Sequence, residues 1–248
     1  MSGHSKWHSI KHKKGAADAA RGKIFTRHAK LITIAARDGG GDPEMNPALR
    51  LAIENAKKQN MPNANIERAI KKGTGEDKNA AQFFEILYEG YGPAGVAILV
   101  ECLTDNKNRT VSSVRSTFTK NGGNLGESGS VAFLFETKGV IEITNPSDDL
   151  EMAAIDAGAE NLENADGILE IFTAPKDLFA VKSALEKAGA EISVAEIRRN
   201  PTTEVKITDE KTAAQIFKLL SALEENDDVS NVFSNADISA ELLEKVAG

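Results

Sequence analysis

The residues best suited to chemistry are concentrated near the start of the chain, between Gly3 and Arg27. This segment holds the only tryptophan of the protein, Trp7, and a single acidic residue, Asp18. Its basic residues are Lys6, Lys11, Lys13, Lys14, Arg21, Lys23 and Arg27. Cations clustered around an aromatic ring can neutralise phosphate groups while the ring stacks on a base or a sugar. The composition therefore predicts that these residues form a polyanion-binding surface.

All four histidines of the chain lie in the same region, and His4, His8 and His12 recur at a spacing of four. On a helix this spacing would align three imidazoles and suggest a metal site. The surroundings are cationic, however, and no carboxylate lies close enough to help hold a cation. The histidines are better interpreted as protonatable donors to phosphate, and the sequence predicts no metal and no cofactor.

The net charge of −7 conceals two opposite halves. Residues 1–75 carry 15 Lys and Arg against 6 Asp and Glu, whereas residues 76–248 carry 15 against 31. This asymmetry indicates a polyanion-facing module attached to an acidic body. A basic face kept only for solubility is the alternative, although interspersed charges of both signs are the usual solution.

The length and composition bound the remaining possibilities. A chain of 248 residues with 41% apolar residues can build the cores of two or three domains. Its single cysteine, Cys102, excludes an intrachain disulfide and lies in an apolar run typical of a buried thiol. Neither an apolar run of membrane-spanning length nor a secretory signal is visible, so the expected location is the cytoplasm, without membrane association.

The basic segment continues into a predicted three-helix domain. Apolar residues at helical spacing begin near Ala16 and stop at the glycines 39–41, and a second helix begins with Asn46 as its cap and Pro47 at its first position. A third helix is predicted near Asn65–Lys72. Residues 1–14 show no periodicity and are predicted to be an arm that orders on a partner. The outward basic residues of the helices are Arg50, Lys57, Lys58, Arg68, Lys71 and Lys72.

After a linker at 73–80 the apolar period changes from 3.6 to 2, which indicates β-structure. Residues 90–95 match the pattern GxGxxG, but a dinucleotide site needs these glycines between a strand and a helix. Here they precede a second strand at Val96–Leu103, so a hairpin turn is predicted.

The second half contains a repeated strand-to-helix corner, in which an apolar run ends at Thr104, Thr144, Thr173 or Thr208. Threonine can cap the following helix, which gives the recurrence a structural reason. Return strands are predicted at 130–135, 161–164, 192–197 and 229–233. Four such units make two ferredoxin-like βαββαβ domains.

The predicted fold class is therefore α+β, with a three-helix domain followed by two ferredoxin-like domains. The order of the corners favours an insertion of one domain into the other, although a side-by-side pairing remains open. The predicted boundaries are 1–75 for the helical domain, 80–136 with 202–238 for the first α/β domain, and 137–201 for the inserted one.

The corner at 104–110 carries more charge than capping requires. Thr104 or Asp105 would cap the helix, which leaves Lys107 and Arg109 as candidates for a secondary contact surface together with Lys57, Lys58, Arg68, Lys71 and Lys72. No pair of carboxylates is marked by its spacing as an acid and base couple, so the sequence predicts no catalytic residues.

The chain resembles the YebC family, whose mitochondrial relatives are translational activators of cytochrome c oxidase. The matching stretches cover nearly the whole sequence: GHSKW at 3–7, IKHKK at 10–14, RGKIF at 21–25, NMPNANIERAIKKGTGE at 60–76, YEGYGPAGVA at 88–97, TDNKNRT at 104–110 and NGGNLGESGSV at 121–131. Two departures stand out. The family usually has Lys-Asp where this chain has Asn63-Ala64, and Gly where it has Ala94.

The resemblance implies a helical N-terminal domain, two α/β domains and a non-enzymatic role in gene expression. Members are classed as DNA-binding transcriptional regulators, whereas others resemble ribosome-associated translation factors that relieve stalling. The expected partner is therefore DNA or ribosomal RNA, bound by a monomer. Because no base-reading helix stands out, RNA or ribosome binding is at least as well supported. A ligand-binding or hydrolytic cleft between domains is a third hypothesis.

Overall fold

The computed structural model describes residues 17–76, 83–165 and 167–247. Its contacts divide the chain into two units, of which one is the segment 136–200. The other unit combines the residues before that segment with those that follow it. The helical region and the first α/β body thus belong to one unit, and a boundary between them near residues 75–80 stays a prediction.

The helical region is built from α1 (Ala17–Gly39), α2 (Pro47–Lys58) and α3 (Asn63–Gly73). Asn46 caps α2, because its Oδ1 accepts a hydrogen bond from the backbone N–H of Leu49 at 3.1 Å. Its Nδ2 donates to the carbonyl oxygens of Ala35 and Gly40 at 2.7 and 2.9 Å, which fixes the end of α1 beside the start of α2. The buried core of the three helices is formed by Ile32, Ala36, Leu49, Ala56, Met61, Ile66 and Ala69.

The α/β body of the same unit begins with a hairpin of β1 (Phe84–Tyr91) and β2 (Ala97–Thr104). A 3₁₀ turn at Pro93–Gly95 joins the two strands, which confirms the predicted turn. Ala94 in this turn has φ +58° and ψ +19°, a left-handed conformation that costs an L-residue conformational energy. The position where the family usually has glycine therefore requires a positive φ in this fold.

The substitution Ala94→Gly is expected to stabilise the unit by about 1 kcal/mol, because glycine adopts the left-handed region without a Cβ clash. Ala94 is exposed, so its methyl group contributes little packing. Chemical denaturation of the variant beside the wild type measures the change. A lower free energy of unfolding for the glycine variant would contradict this account of the turn.

The body continues with α4 (Lys107–Lys120), β3 (Asn124–Leu125), β8 (Val205–Ile207), α7 (Glu210–Glu224), β9 (Val229–Ser234), β10 (Ala236–Ile238) and α8 (Ala240–Ala247). The main sheet has the strand order β3-β1-β2-β9, and β8 pairs with β10 in a separate parallel ribbon. Buried side chains of α4 and α7, including Phe118 and Ile216, pack with Val100 of β2 in the main core. The strand order of this body differs from the ferredoxin-like order because its first two strands form a hairpin.

The predicted return strand at 130–135 is wrong. A 3₁₀ turn occupies Ala132–Leu134, and the next strand, β4 (Phe135–Ile143), begins only at Phe135. The carboxylate of Glu89 on β1 explains the difference, because it accepts the backbone N–H groups of Gly129, Val131 and Ala132 at 2.6, 2.8 and 2.7 Å. These donors are therefore not available for a strand ladder.

The segment 136–200 forms a βαββαβ unit from β4 (Phe135–Ile143), α5 (Asp148–Asp156), β5 (Asn161–Ala165), β6 (Ile168–Thr173), α6 (Leu178–Lys187) and β7 (Ile192–Pro201). Its sheet has the order β5-β6-β4-β7, which is ferredoxin-like. Ile141 and Ile143 on β4 face Ile171 and Leu169 on β6, and all four are buried. The predicted fold class, helices followed by α/β domains, is confirmed.

The threonines at the strand-to-helix corners do not cap the helices, so that prediction is wrong. Asn106, Ser147 and Asp209 cap α4, α5 and α7 with their side chains instead. Thr104 and Thr173 are fully buried at the ends of their strands. The hydroxyl of Thr104 accepts a hydrogen bond from the N–H of Asn106 at 2.9 Å, so it holds the loop before the cap.

Candidate nucleic-acid interface

The predicted arm contacts lie outside the described residues. Lys6, Trp7, Lys11, Lys13 and Lys14 belong to the segment before residue 17, as do the histidines of the spacing-four pattern. Arg21 and Lys23 lie in the first two turns of α1. The role of the arm residues in binding therefore stays a prediction.

Arg27 lies further along α1, and its side chain contacts the α/β body. Its Nη2 donates to the side-chain oxygen of Asn231 on β9, and Nδ2 of Asn231 donates to Glu101 on β2 at 2.9 Å. Arg27 is half-buried in this chain of hydrogen bonds. Its guanidinium therefore positions α1 on the sheet, in addition to adding positive charge to the surface.

Lys30 makes a second contact between α1 and the α/β body. Its Nζ donates to the backbone oxygens of Leu103, at 3.2 Å, and Asp227. Burial lowers the pKa of this amine, and the nearby Asp228 carboxylate opposes that effect. Arg27 and Lys30 therefore help to dock the helical region on the strands, as does Arg37 of α1, whose Nη2 lies 2.5 Å from Oε1 of Glu85 on β1.

The basic residues predicted on α2 and α3 lie mostly on exposed positions. Lys57, Lys58, Arg68 and Lys71 are exposed, and Lys72 is half-buried with its Nζ 4.0 Å from the centre of the Phe83 ring. Lys57 and Lys58 end α2, and Lys71 and Lys72 end α3. Cations in a last turn also stabilise a helix by interacting with its dipole, so part of this pattern has a structural cause.

The charged corner before α4 is largely an internal ion-pair network. Nη2 of Arg109 lies 2.9 Å from Oδ1 of Asp105 and 2.9 Å from Oδ2 of Asp228. The hydrogen bonds that the Arg109 guanidinium donates to Asp228, and then to Asp105, raise its pKa. Nζ of Lys107 lies 4.1 Å from the centre of the Phe84 ring. Because two carboxylates already neutralise Arg109, Lys107 is the better placed of the two to meet a phosphate.

A cavity of about 460 Å³ opens between α1, α3 and the first residues of the α/β body. Its walls combine aromatic, aliphatic and cationic side chains. The lining residues are Gly22, Phe25, Thr26, Ala29, Lys30, Thr33, Met61, Asn65, Arg68, Ala69, Lys72, Phe83 and Leu103. Lys30 and Phe83 do not stand out in the sequence, because no local pattern connects residues so far apart in the chain.

His28 follows Arg27 on α1 and is half-buried, with no hydrogen-bond partner for its Nδ1 among the described residues. Burial, followed by the charge of Arg27, lowers the pKa of its imidazole from 6.5 to about 4. The neutral ring is thus favoured in the folded state, whereas the unfolded chain binds a proton at higher pH.

We expect His28 to make the protein less stable in acid. The free energy of unfolding is unaffected by the titration of His28 above pH 6.5. It decreases as the pH falls towards 4, because protons then bind the imidazole of the unfolded chain in preference to that of the folded protein. The substitution His28→Leu should reduce the slope of unfolding free energy against pH in this window. Parallel denaturation series at pH 7 and pH 5 measure it, and equal slopes in the two proteins would contradict the assignment.

The described residues show no arrangement suited to metal or thiol chemistry. Within 17–76, 83–165 and 167–247, no three His, Cys, Asp or Glu side chains are grouped to hold a metal ion. Burial raises the pKa of the Cys102 thiol to about 12, which keeps it protonated and unreactive. Among the helices of the described ranges, none is both long and apolar enough to cross a membrane.

Comparisons with known proteins cover almost the entire chain. Residues 5–76 match the model of the TACO1/YebC protein N-terminal domain, and residues 83–236 match that of the TACO1/YebC second and third domain. A crystal structure of a conserved hypothetical protein, Aq1575 from Aquifex aeolicus, is 52% identical with a TM-score of 0.85. The alignment covers 93% of this chain and 96% of that one.

Curated relatives agree over their full length. A protein of Persephonella marina is 59% identical over 251 residues, with 100% of both chains covered. A protein of Geobacter sulfurreducens is 54% identical over 248 residues, covering 99% of this chain and 100% of its own. Both carry the name "probable transcriptional regulatory protein". These matches confirm the resemblance seen in the sequence, and the chain belongs to the TACO1/YebC family.

Proposed function

We propose that this protein is a non-enzymatic regulator of gene expression that binds nucleic acid through its helical region. The exposed cations of α2 and α3 carry the proposal, because they continue the basic character of the arm on a rigid surface. The regulatory names of the relatives support the same class of function. In this proposal the arm adds phosphate contacts, and the acidic body turns away from the polyanion by repulsion.

Removing charge from the arm tests the proposal. The triple substitution of Lys11, Lys13 and Lys14 by alanine should weaken binding and reduce the slope of log affinity against log salt by about 2 to 3, since each phosphate contact contributes roughly 0.7 to 0.9. Fluorescence anisotropy with a labelled oligonucleotide over a salt series measures both quantities. An unchanged slope would remove these residues from the interface.

A matched control separates local contact from net charge. Lys206, Lys211 and Lys218 are exposed on the acidic body, and their replacement by alanine changes the net charge equally. This variant should bind with nearly the wild-type slope. An equal loss in both variants would show that only long-range charge is involved.

An RNA or ribosome partner is the second candidate. The cavity between α1, α3 and the strands favours it, because half-buried aromatic rings beside cations can stack on unpaired bases, whereas the bases of a duplex are already stacked on one another. Sedimentation through a sucrose gradient with and without ribosomes, beside DNA binding at physiological salt, distinguishes the two. Migration with ribosomes together with weak, sequence-independent DNA binding would identify translation as the process, whereas tight sequence-dependent DNA binding would identify transcription.

A further inference from the structure

The cavity beside α1 has an apolar floor. Met61 and Ala69 are buried at the base, and Phe25 and Phe83 are half-buried along the walls. A partly exposed ring can take a planar ligand on its face, whereas a fully packed ring cannot. The volume of about 460 Å³ falls within the range of sites for small organic groups.

The rim of the cavity is cationic. Arg68 is exposed and makes no hydrogen bond or ion pair with any described residue, and Lys72 lies over the Phe83 ring at 4.0 Å. Lys30 is held in place by two backbone oxygens, and the nearby Asp228 carboxylate offsets part of its positive charge, so Arg68 and Lys72 are the main cations of the rim. Among the described residues, no Asp or Glu lines the cavity. The walls therefore select an anion that also carries a flat apolar face.

Gly22 keeps one side of the cavity open. It lies within α1, where glycine is less favourable than alanine, and a Cβ built on it meets no atom within 4 Å. Packing therefore gives no reason for a glycine at this position. Because Gly22 is one of the lining residues, a long side chain at this position would take up part of the cavity.

We propose that this cavity receives one unstacked nucleotide of single-stranded RNA. The base lies against Phe25 and Phe83, and the adjoining phosphate is neutralised by Arg68 and Lys72. Asn65, also on the wall, offers an amide that can donate to and accept from a base edge. The inference rests on the proposed nucleic-acid binding and specifies which form of nucleic acid the helical region prefers.

Single-stranded RNA fits these observations better than a duplex does. In a duplex both faces of each base are stacked, so the rings of a cavity can be used only after a base is extruded. A single strand presents its bases without that cost, and stacking on an aromatic side chain is worth about 5- to 150-fold in affinity per base. The structure thus predicts a preference between strand forms that a purely electrostatic surface would not show.

The test uses the full chain and two probes of the same sequence, a 12-nucleotide single strand containing one 2-aminopurine and its blunt duplex. Gly22→Leu fills the space above the helix, and Phe83→Leu removes an aromatic face. Both variants should bind the single strand about 10-fold more weakly, lose the change in 2-aminopurine fluorescence, and bind the duplex within twofold of the wild type. Gly22→Ala is the matched control and should bind both probes like the wild type.

Other results would overturn the inference in distinguishable ways. If the wild type binds RNA and Gly22→Leu binds the single strand equally well, the cavity is excluded as the binding site of the nucleotide. The proposed function would remain intact in that case. Failure of the wild type to bind either probe would contradict the proposed function as well. If adenosine monophosphate binds as tightly as the single strand does, the ligand of the cavity is a free nucleotide and not a nucleotide of an RNA strand. Thermal unfolding checks that the Gly22→Leu variant remains folded. We expect it to fold, because a Cβ at residue 22 meets no atom within 4 Å.

Discussion

Replacement of Glu89 by alanine is expected to lower the free energy of unfolding of the larger unit, which combines the residues before 136 with those after 200, by about 3 kcal/mol, because three backbone donors lose their acceptor. Glu89 is only 5% exposed, so water reaches this site poorly in the folded protein. Hydrogen bonds to an ionised group contribute more than those to neutral groups, and a buried donor without a partner costs free energy in addition. The loop before β4 should therefore lose its 3₁₀ turn or unfold locally.

Two controls sharpen this measurement. Glu127 lies in the same loop but is exposed, and Glu127→Ala should change stability by less than about 0.5 kcal/mol. Glu89→Gln keeps one acceptor oxygen and should fall between alanine and wild type. Equal stability of Glu89→Ala and Glu127→Ala in urea denaturation would show that the carboxylate does not hold the loop.

The same carboxylate makes stability depend on pH in a predictable direction. Burial by itself raises the pKa of Glu89, but the N–H groups of Gly129, Val131 and Ala132 outweigh it and the pKa is lowered. Stability from this group is therefore present above its ordinary pKa of 4.5 and is lost as the pH falls through the lower folded value. The Glu89→Ala variant should lack this loss, which lies at lower pH than most of the His28 effect.

Replacement of Arg68, Lys71 and Lys72 by alanine is expected to weaken RNA binding by about 10- to 100-fold near physiological salt and to reduce the salt slope by about 2. These residues lie in the last two turns of α3, where Arg68 and Lys71 are exposed and Lys72 is half-buried, so the helix sets the spacing of their charges. The three substitutions leave the buried positions Ile66 and Ala69 unchanged. Binding should weaken for single strands and duplexes alike, in contrast to changes at Gly22.

The variant needs a stability check, because Lys72 interacts with the Phe83 ring and such contacts contribute about 0.5–1 kcal/mol at exposed sites. Circular dichroism and thermal unfolding supply it. The Lys206, Lys211 and Lys218 variant again serves as the charge-matched control. A salt slope equal to that of the wild type would mean that α3 does not face the polyanion, and the interface would then be confined to the arm and α1.

Local features of the sequence were sufficient for much of the fold. Asn46 and Pro47 define the start of α2 because a cap and an N1 proline act within one turn. The turn at 92–96 is predictable because adjacent glycines and a proline leave few other conformations. The ferredoxin-like unit follows from alternating apolar residues, whose period directly reflects which side of the sheet they face.

Features that depend on distant residues were not predictable in the same way. The segment 130–135 has the apolar composition of a strand, yet Glu89, about forty residues earlier, takes its N–H groups. Arg109 is engaged by Asp228, and Arg27 by Asn231, at separations of 119 and 204 residues. Sequence alone shows that these cations exist, whereas only the fold shows which of them are already paired.

The order of the strands has a consequence for how the protein is made. Strand β9 pairs with β2 along Ile98 to Cys102, although about 130 residues separate the two in the chain. The unit 136–200 contains all of its own strands, so it can be complete before β9 has been synthesised. The sheet β3-β1-β2-β9 cannot be completed until β9 has been synthesised. Strand β9 also supplies the hydrogen-bond acceptor for Arg27. A nascent or truncated chain that stops before residue 229 therefore lacks the acceptor of Arg27, although it still contains Leu103 and Asp227, the acceptors of Lys30.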